Sequence, residues 1–475
     1  MISNKIFNEK TYEFLRKSYI VAFICAVLTR VLLPLNLHET QFVNTLVFSI
    51  VAAFGAGIIY MDFFTKRIFL RQKNVIWLIF FLVSCAISSI INVKYGLLGN
   101  IRNLVWLAIS FFILYPIDSD RPVEDVKKEL KFVSNILIAV WFGACLVSIT
   151  MFLQQIGYYV DVPPDSFARV GFIEGRLFGI FDDPNYAAVV AFIVVIVSIF
   201  RAKTTDKKLF RAFCVFNILV NFCYIVLSGS RTAEVSAIFV VLMATYFILL
   251  KKFDSKKINV ILKQFILIVT SLFCCAALIF SFIFTRKALA LLPDFVSTSF
   301  KTTSVSESKS RKQVDTTRED VNNSADVSNC RFKIWLSALE LFKSTPIFGT
   351  SPRNMRTYAK AIFPNGFIAQ RSYAVHNAYL DILTSTGVVG ALMLIIFLVL
   401  YLLAVFKFLF QKFNSEHYYT VLFNFSLVTT VAVSAFFLSE IVFVNTIGVL
   451  IFWLNLGYSR YFIEADSNHN LADGD

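Results

Sequence analysis

This sequence predicts an all-α polytopic membrane protein, and three observations carry that prediction. Of its 475 residues 57% are hydrophobic and the mean hydropathy is +0.70, far beyond an ordinary soluble domain. Apolar runs of about 17 to 25 residues, long enough to cross a hydrocarbon core of roughly 30 Å, recur about twelve times. Lysine and arginine gather in every second connection between these runs.

The runs lie at 18–36, 42–61, 75–92, 97–115, 132–156, 186–200, 209–228, 232–250, 261–285, 382–408, 420–439 and 441–458. Backbone groups in lipid must be hydrogen-bonded internally, so each run is expected to be a helix, and the alternating pattern of a membrane barrel is absent. The chain then divides into a charged arm (1–17), the first nine spans (18–285) with a long connection at 157–185, a hydrophilic excursion (286–375), the last three spans (376–458) and a tail (459–475).

Orientation follows from the basic residues. The arm carries Lys5, Lys10, Arg16 and Lys17, and the second connection Lys66, Arg67, Arg71 and Lys73. Arg121, Lys127, Lys128 and Lys131 fill the fourth, Arg201 to Arg211 the sixth, and Lys251 to Lys257 the eighth. The alternate connections hold little more than His38-Glu39 and Lys94. The even connections and both termini are therefore expected in the cytoplasm, with the large excursion outside, before the tenth helix. This pattern accounts for most of the net charge of +14, so no nucleic-acid partner is needed to explain it. The first run follows a charged arm without a small-residue cleavage site and reads as a retained signal anchor. Of eight cysteines only Cys330 lies outside the apolar runs, so no disulfide framework is expected, and no cysteine–histidine cluster suggests a metal.

Two outer segments are too long to be turns. The segment 157–185 holds Pro163-Pro164-Asp165, is turn-rich, and ends Asp182-Asp183-Pro184-Asn185. Asp can cap a helix whose first position is Pro, so a helix is expected to start there. In the excursion, 301–329 is rich in Ser, Thr, Asn and charge and reads as mobile. By contrast 331–342 has helical apolar spacing and stops near Pro346, which predicts an amphipathic helix on or near the outer surface. No internal repeat of the transporter kind is evident.

Arginines at membrane depth usually face a cavity or a partner. Arg30, Arg102 and Arg231 fall toward the outer ends of their spans, whereas the inward ends show no comparable buried arginines. For Arg30 and Arg102 snorkelling to the outer interface is the expected reading, ahead of a functional role. Arg231 opens its span within Ser228-Gly229-Ser230-Arg231-Thr232, where both the topology and the helix dipole disfavour a cation. Either Glu234, one turn later, pairs with it, or a bound anion does. The chain has four histidines. His376 stands where the excursion returns to the membrane, either as a structural residue or as a base near neutral pKa.

Three segments resemble the bacterial O-antigen ligase and polymerase superfamily. Gly175-Arg176-Leu177-Phe178-Gly179, running on to Asp182-Asp183-Pro184-Asn185, is similar to its Arg-x-x-Gly…Asp-Pro-Asn element. Leu227-Ser228-Gly229-Ser230-Arg231-Thr232-Ala233 is similar to its Ser-x-Ser-Arg-Thr element. His376-Asn377-Ala378-Tyr379-Leu380, followed by Gly387 and Gly390, is similar to its His-Asn-x-Tyr-Leu…Gly element, and Pro346-Ile347-Phe348-Gly349 also fits. One departure stands out: where many members carry a glutamate just before the glycine, this chain has Ser385-Thr386, which leaves an acidic helper unassigned.

The resemblance implies a GT-C type glycosyltransferase, multi-pass in the bacterial cytoplasmic (inner) membrane with its active site facing outward. Its substrates would be an undecaprenyl-diphosphate-linked glycan donor and a glycan acceptor, its neighbours membrane lipid and other polysaccharide-assembly membrane proteins, with no cofactor and no metal. It implies that His376 is the catalytic base and that Arg176 and Arg231 hold the diphosphate. Further candidates for substrate contact are Arg331, Arg353, Arg371, Asn377, Asn185 and Arg102. The leading expectation is a polymerase joining lipid-linked repeat units. The alternatives are a ligase moving a finished glycan to another acceptor, or a flippase of lipid-linked sugars.

Overall fold

The computed structural model describes residues 9–36, 41–162, 166–253, 259–295, 314–316 and 330–472. Outside them lie the start of the arm, His38-Glu39, Pro163-Pro164-Asp165, Lys256-Lys257 and the polar stretch 301–329 apart from 314–316.

Helices lie within each of the apolar runs. They are α1 (Glu9–Val31), α2 (Gln41–Phe64), α3 (Val75–Ile91), α4 (Leu98–Ile109), α5 (Val123–Leu153), α6 (Pro184–Thr204), α7 (Lys208–Ser228), α8 (Arg231–Lys252) and α9 (Val260–Leu289). Three helices then fill the second half of the excursion, α10 (Arg331–Ser344), α11 (Met355–Ile362) and α12 (Phe367–Arg371). The chain ends in α13 (Ala378–Gln411), α14 (Tyr418–Ser434) and α15 (Ile447–Ala472). Among the described residues seven helices are long and apolar enough to cross a membrane, namely α2, α5 to α9 and α13, while α3, α4 and α14 are shorter apolar helices. Phe265, Phe273, Phe280 and Phe284 of α9 lie exposed, as residues facing hydrocarbon do. The chain is an integral membrane protein.

The turn-rich segment is where the all-helical expectation breaks. A three-stranded antiparallel sheet in the order β1 (Gly157–Val162), β2 (Ser166–Ile173), β3 (Arg176–Gly179) occupies it. Glu174 and Gly175, between β2 and β3, both have positive φ, the pattern of a two-residue hairpin turn whose twist suits the strands.

The chain forms two compact units, Leu28–Gln41 with Lys131–Asn329, and Met1–Val27 with Phe42–Leu130 and Cys330–Asp475. In the first, Phe181 stacks on Trp141 of α5 and lies against Tyr224 of α7. Trp141 donates its Nε1–H to Ala187 O of α6 at 3.2 Å. The end of α1 joins by backbone bonds, Leu33 N to Ile180 O and Asp182 N to Val31 O.

The second unit corrects two expectations. The arm was expected to end at residue 17 and the inward helix ends to lack buried arginines. Instead α1 starts at Glu9, and Arg16 and Arg121 are both buried. Arg16 pairs with Glu129 at 2.8 Å and donates to the carbonyls of Ile113 and Leu114, which a π-helical turn at Ser110–Leu114 presents. Arg121 pairs with the other Glu129 oxygen at 2.9 Å and with Glu13 at 2.7 Å, and Tyr458 donates to Glu129. Burial alone would push the Arg121 guanidinium pKa down, but Glu129 and Glu13 reverse that and raise it. Buried charge is tolerated when paired in this way. Arg201 is also buried, in the first unit, donating to Asn135.

A further correction concerns the last span, expected from residue 441, whose helix begins at Ile447. Glu440 is the physical reason. Its buried carboxylate accepts from Ser434 at 2.7 Å and from Thr446 at 3.4 Å, so side chains at both helix ends draw the chain out of helical form. Ile441 takes φ 86°, and its carbonyl accepts from Trp453 Nε1 at 2.8 Å. At the other end α15 runs through the expected tail to Ala472.

The helix expected at 331–342 is present as α10, but more than a surface helix. Ile334, Ala338 and Leu341 form a small core with Met355, Tyr358, Ala359, Ile368, Ala369 and Val375, so α10 to α12 fold as a cap with its own interior.

Candidate functional site

In the first unit the structure joins the first two sequence elements. Arg176 opens β3 directly after the hairpin turn and is 7% exposed. Its Nε donates to Ser228 O at 2.9 Å and its Nη2 to Asn185 Oδ1 at 2.9 Å, and its guanidinium lies 5.6 Å from the Phe178 ring centre. The side chain thus ties β3 to the end of α7 and the start of α6. Asp183 accepts from Asn185 N at 2.7 Å and Pro184 takes the first turn of α6, the cap that the sequence predicts. Gly179 has φ 64°, and any Cβ there would meet the Ser148 side chain of α5, whose hydroxyl accepts from Ile180 N at 3.2 Å. Only glycine suits that position.

After α7 the chain turns through Gly229 at φ 61°, and Ser230 caps α8 by accepting from Ala233 N. Arg231 is the first residue of α8 and is exposed. Glu234, the residue weighed as its partner, forms an ion pair with Arg286 of α9 at 3.0 Å. Arg231 is thus an exposed guanidinium at a helix N-terminus, which carries partial positive charge. Arg176, in the same unit, is oriented through neutral acceptors. Arg30 is exposed in the last turn of α1.

In the second unit, His376 is half-buried with φ 51°, a left-handed conformation that costs a non-glycine residue about 1–3 kcal/mol and gathers at functional sites. What holds it is the start of α13. Asn377 is buried and its side chain accepts from the N–H groups of Tyr379 at 3.0 Å and Leu380 at 3.1 Å. Ala378 N donates to Ala435 O at 2.8 Å and Leu438 O at 3.1 Å. Tyr379 donates to Ala432 O at 2.7 Å, and its ring centre lies 4.5 Å from that of Phe436. The irregular segment closed by Glu440 therefore grips the residue that follows His376-Asn377.

Further along α13 the helix breaks at Gly387, φ 64° and ψ −168°. The turn after α10 adds strand-like bonds there, Thr350 N to Thr384 O, Ser351 N to Ser385 O and Val388 N to Pro346 O. A Cβ on Gly387 would strike the Ile347 carbonyl. Ser385, in the Ser385-Thr386 pair before the glycine, donates to Asp381 Oδ1 at 3.4 Å, and Asp381 interacts electrostatically with Arg353 and Arg356.

The remaining candidates scatter within this unit. Arg331 sits over the Phe437 ring at 5.6 Å, in the segment that holds Ala378. Arg353 is exposed, with its backbone N–H on Asn100 of α4 at 2.9 Å, two residues before the exposed Arg102. Arg371 is exposed at the end of α12. Sequence reading missed Glu440, Asp381 and Arg286. For Glu440 a signal existed, since a lone carboxylate flanking an apolar run marks a polar interior.

Residues 216–395 match the family model described as O-Antigen ligase. That match supports the O-antigen ligase and polymerase superfamily for this chain. It covers the Ser228 to Ala233 element, the cap and the His376 element through Gly390, and it ends upstream at 216, beyond Arg176 and Asn185. No curated protein matches the chain.

Proposed function

We propose that the protein is a glycosyltransferase that joins undecaprenyl-diphosphate-linked oligosaccharide units at the outer face of the cytoplasmic membrane. The observation that carries this reading is the corner where Arg176, fixed by Ser228 and Asn185, shares a unit with Arg231 at the start of α8. Two guanidiniums and a helix N-terminus suit a diphosphate whose charge grows as it leaves.

His376 takes the proton from a sugar hydroxyl on the acceptor. The resulting oxygen attacks the anomeric carbon of the donor from the face opposite the diphosphate, a new glycosidic C–O bond forms, and the bond to the diphosphate breaks. Undecaprenyl diphosphate departs with that electron pair and the anomeric centre inverts. Arg176 and Arg231 stabilise the departing charge, so these steps need no metal or organic cofactor.

A ligase is the second reading, favoured by the description of the matching family model. It uses the same chemistry on a different acceptor. A flippase has less support, because the buried arginines Arg16 and Arg121 are matched by Glu129 and Glu13 and offer a passing anion little charge.

The test is the length of glycan on lipid carrier in cells, comparing wild type with His376→Ala at equal expression. A polymerase loses its ladder and accumulates single lipid-linked units. Long lipid-linked chains left unattached would point to the ligase, and an unchanged pattern would remove His376 from the chemistry.

A further inference from the structure

The sheet of the first unit carries side chains that the chemistry above does not use. In the β1–β2 register Tyr159 stands opposite Arg169 and Asp161 opposite Phe167, and side chains two apart on a strand share a face. On that face the Tyr159 and Phe167 ring centres are 5.3 Å apart, edge to face, and both residues are 53% exposed. Between them and the hairpin turn lies a fixed polar group. Glu174 Oε1 accepts from Tyr159 Oη at 2.9 Å and from Arg169 Nε at 3.1 Å. The other face differs, with Val170 buried and Phe172 packed on Phe152 of α5. Phe172, on that other face, is the ring that packs against α5.

The face with the exposed rings is continuous with the diphosphate corner. The Arg169 guanidinium lies 5.1 Å from the Phe167 ring centre and 5.5 Å from that of Phe178. Phe178 is in turn 5.6 Å from the Arg176 guanidinium. A chain of neighbouring rings and guanidiniums thus runs from Arg176 out to Tyr159 and Phe167.

We propose that the Tyr159, Phe167, Arg169 and Glu174 face is a saccharide platform, taking the glycan that is attached to the diphosphate held at Arg176. The chemistry matches on two counts. Sugar rings present C–H faces that pack on exposed aromatic rings, and rigid two-torsion aromatics give contact area at little entropic cost. Sugar hydroxyls also need in-plane donors and acceptors, which a guanidinium and carboxylate locked together supply. Continuity fixes the occupant, because the first sugar of a lipid-linked glycan must lie beside its diphosphate and the rest must extend from it. The proposal rests on the reading of Arg176 as a diphosphate ligand.

The experiment uses full-length protein in lipid nanodiscs and three probes. They are undecaprenyl diphosphate, the lipid-linked oligosaccharide extracted from cells that make this protein, and that oligosaccharide released from its lipid by mild acid. The Tyr159→Ala/Phe167→Ala variant is expected to weaken binding of both sugar-bearing probes about tenfold and to leave undecaprenyl diphosphate unchanged. Arg169→Gln should show a smaller loss of the same kind. Arg176→Ala should weaken both lipid-bearing probes. Equal loss on all three probes, or no loss on the sugar-bearing ones, would overturn the platform, as would wild type that holds neither sugar-bearing probe. Wild type that holds the released oligosaccharide but not undecaprenyl diphosphate would instead overturn the diphosphate reading and keep the platform.

Discussion

Two groups of arginines differ in what surrounds them. In one unit Arg16 and Arg121 are buried on Glu129 and Glu13, carboxylate against guanidinium at 2.7–2.9 Å, with Tyr458 completing the set. In the other, Arg176 is buried on a carbonyl and an amide oxygen, and Arg231 opens a helix. Carboxylates cancel the first group's charge, so it clamps helices. In the second group a carbonyl and an amide oxygen fix the geometry of Arg176, and Arg231 stands exposed at a helix N-terminus. Position along the chain does not separate Arg16 and Arg121 from Arg176; the carboxylates on the first two and the carbonyl and amide oxygens on the third do.

The largest effect expected from breaking this contrast is on the clamp. Glu129→Ala strands two buried guanidiniums at once and should cost about 3–5 kcal/mol of stability, seen as loss of folded protein from the membrane and a lower Tm in detergent. Next comes Arg231→Ala, which should accumulate normally yet lose about 10²–10³-fold in turnover, the scale for removing one stabilising donor from a charged transition state. An unstable Arg231→Ala protein would move that residue into the clamp class. Gly387→Ala places a side chain at positive φ against the Ile347 carbonyl and should cost about 1–3 kcal/mol, with faster proteolysis of the cap as the readout. The smallest effect belongs to Ser230→Ala, which removes the α8 cap and should cost about 1 kcal/mol while activity falls less than for Arg231→Ala.

Much of the frame was legible in the sequence because helix length and hydropathy are local properties. The Asp183-Pro184 start of α6 was legible for the same reason, since a cap acts within three residues. What escaped depended on partners far along the chain. Arg16 counts as one more basic residue of the arm until Glu129 meets it from 113 residues away. The sheet escaped because its turn, Glu174-Gly175, lacks the Asn-Gly signal and its strands mix aromatic and charged residues. Within the candidate site, motif order placed Arg176, Asn185 and Ser228 on one list. Only the fold shows that one side chain joins them, and only the fold shows Glu440 closing the segment that holds Ala378.

The most direct test of the central claim is transfer in proteoliposomes containing purified protein and lipid-linked oligosaccharide, with no nucleotide and no ion gradient. The account predicts a ladder of lengthening lipid-linked glycans and equal release of undecaprenyl diphosphate. It also predicts that His376→Ala, Arg176→Ala and Arg231→Ala each lower both products together by about 10²-fold or more. Lipid-linked units that cross the bilayer with their length unchanged, or variants as active as wild type, would contradict it.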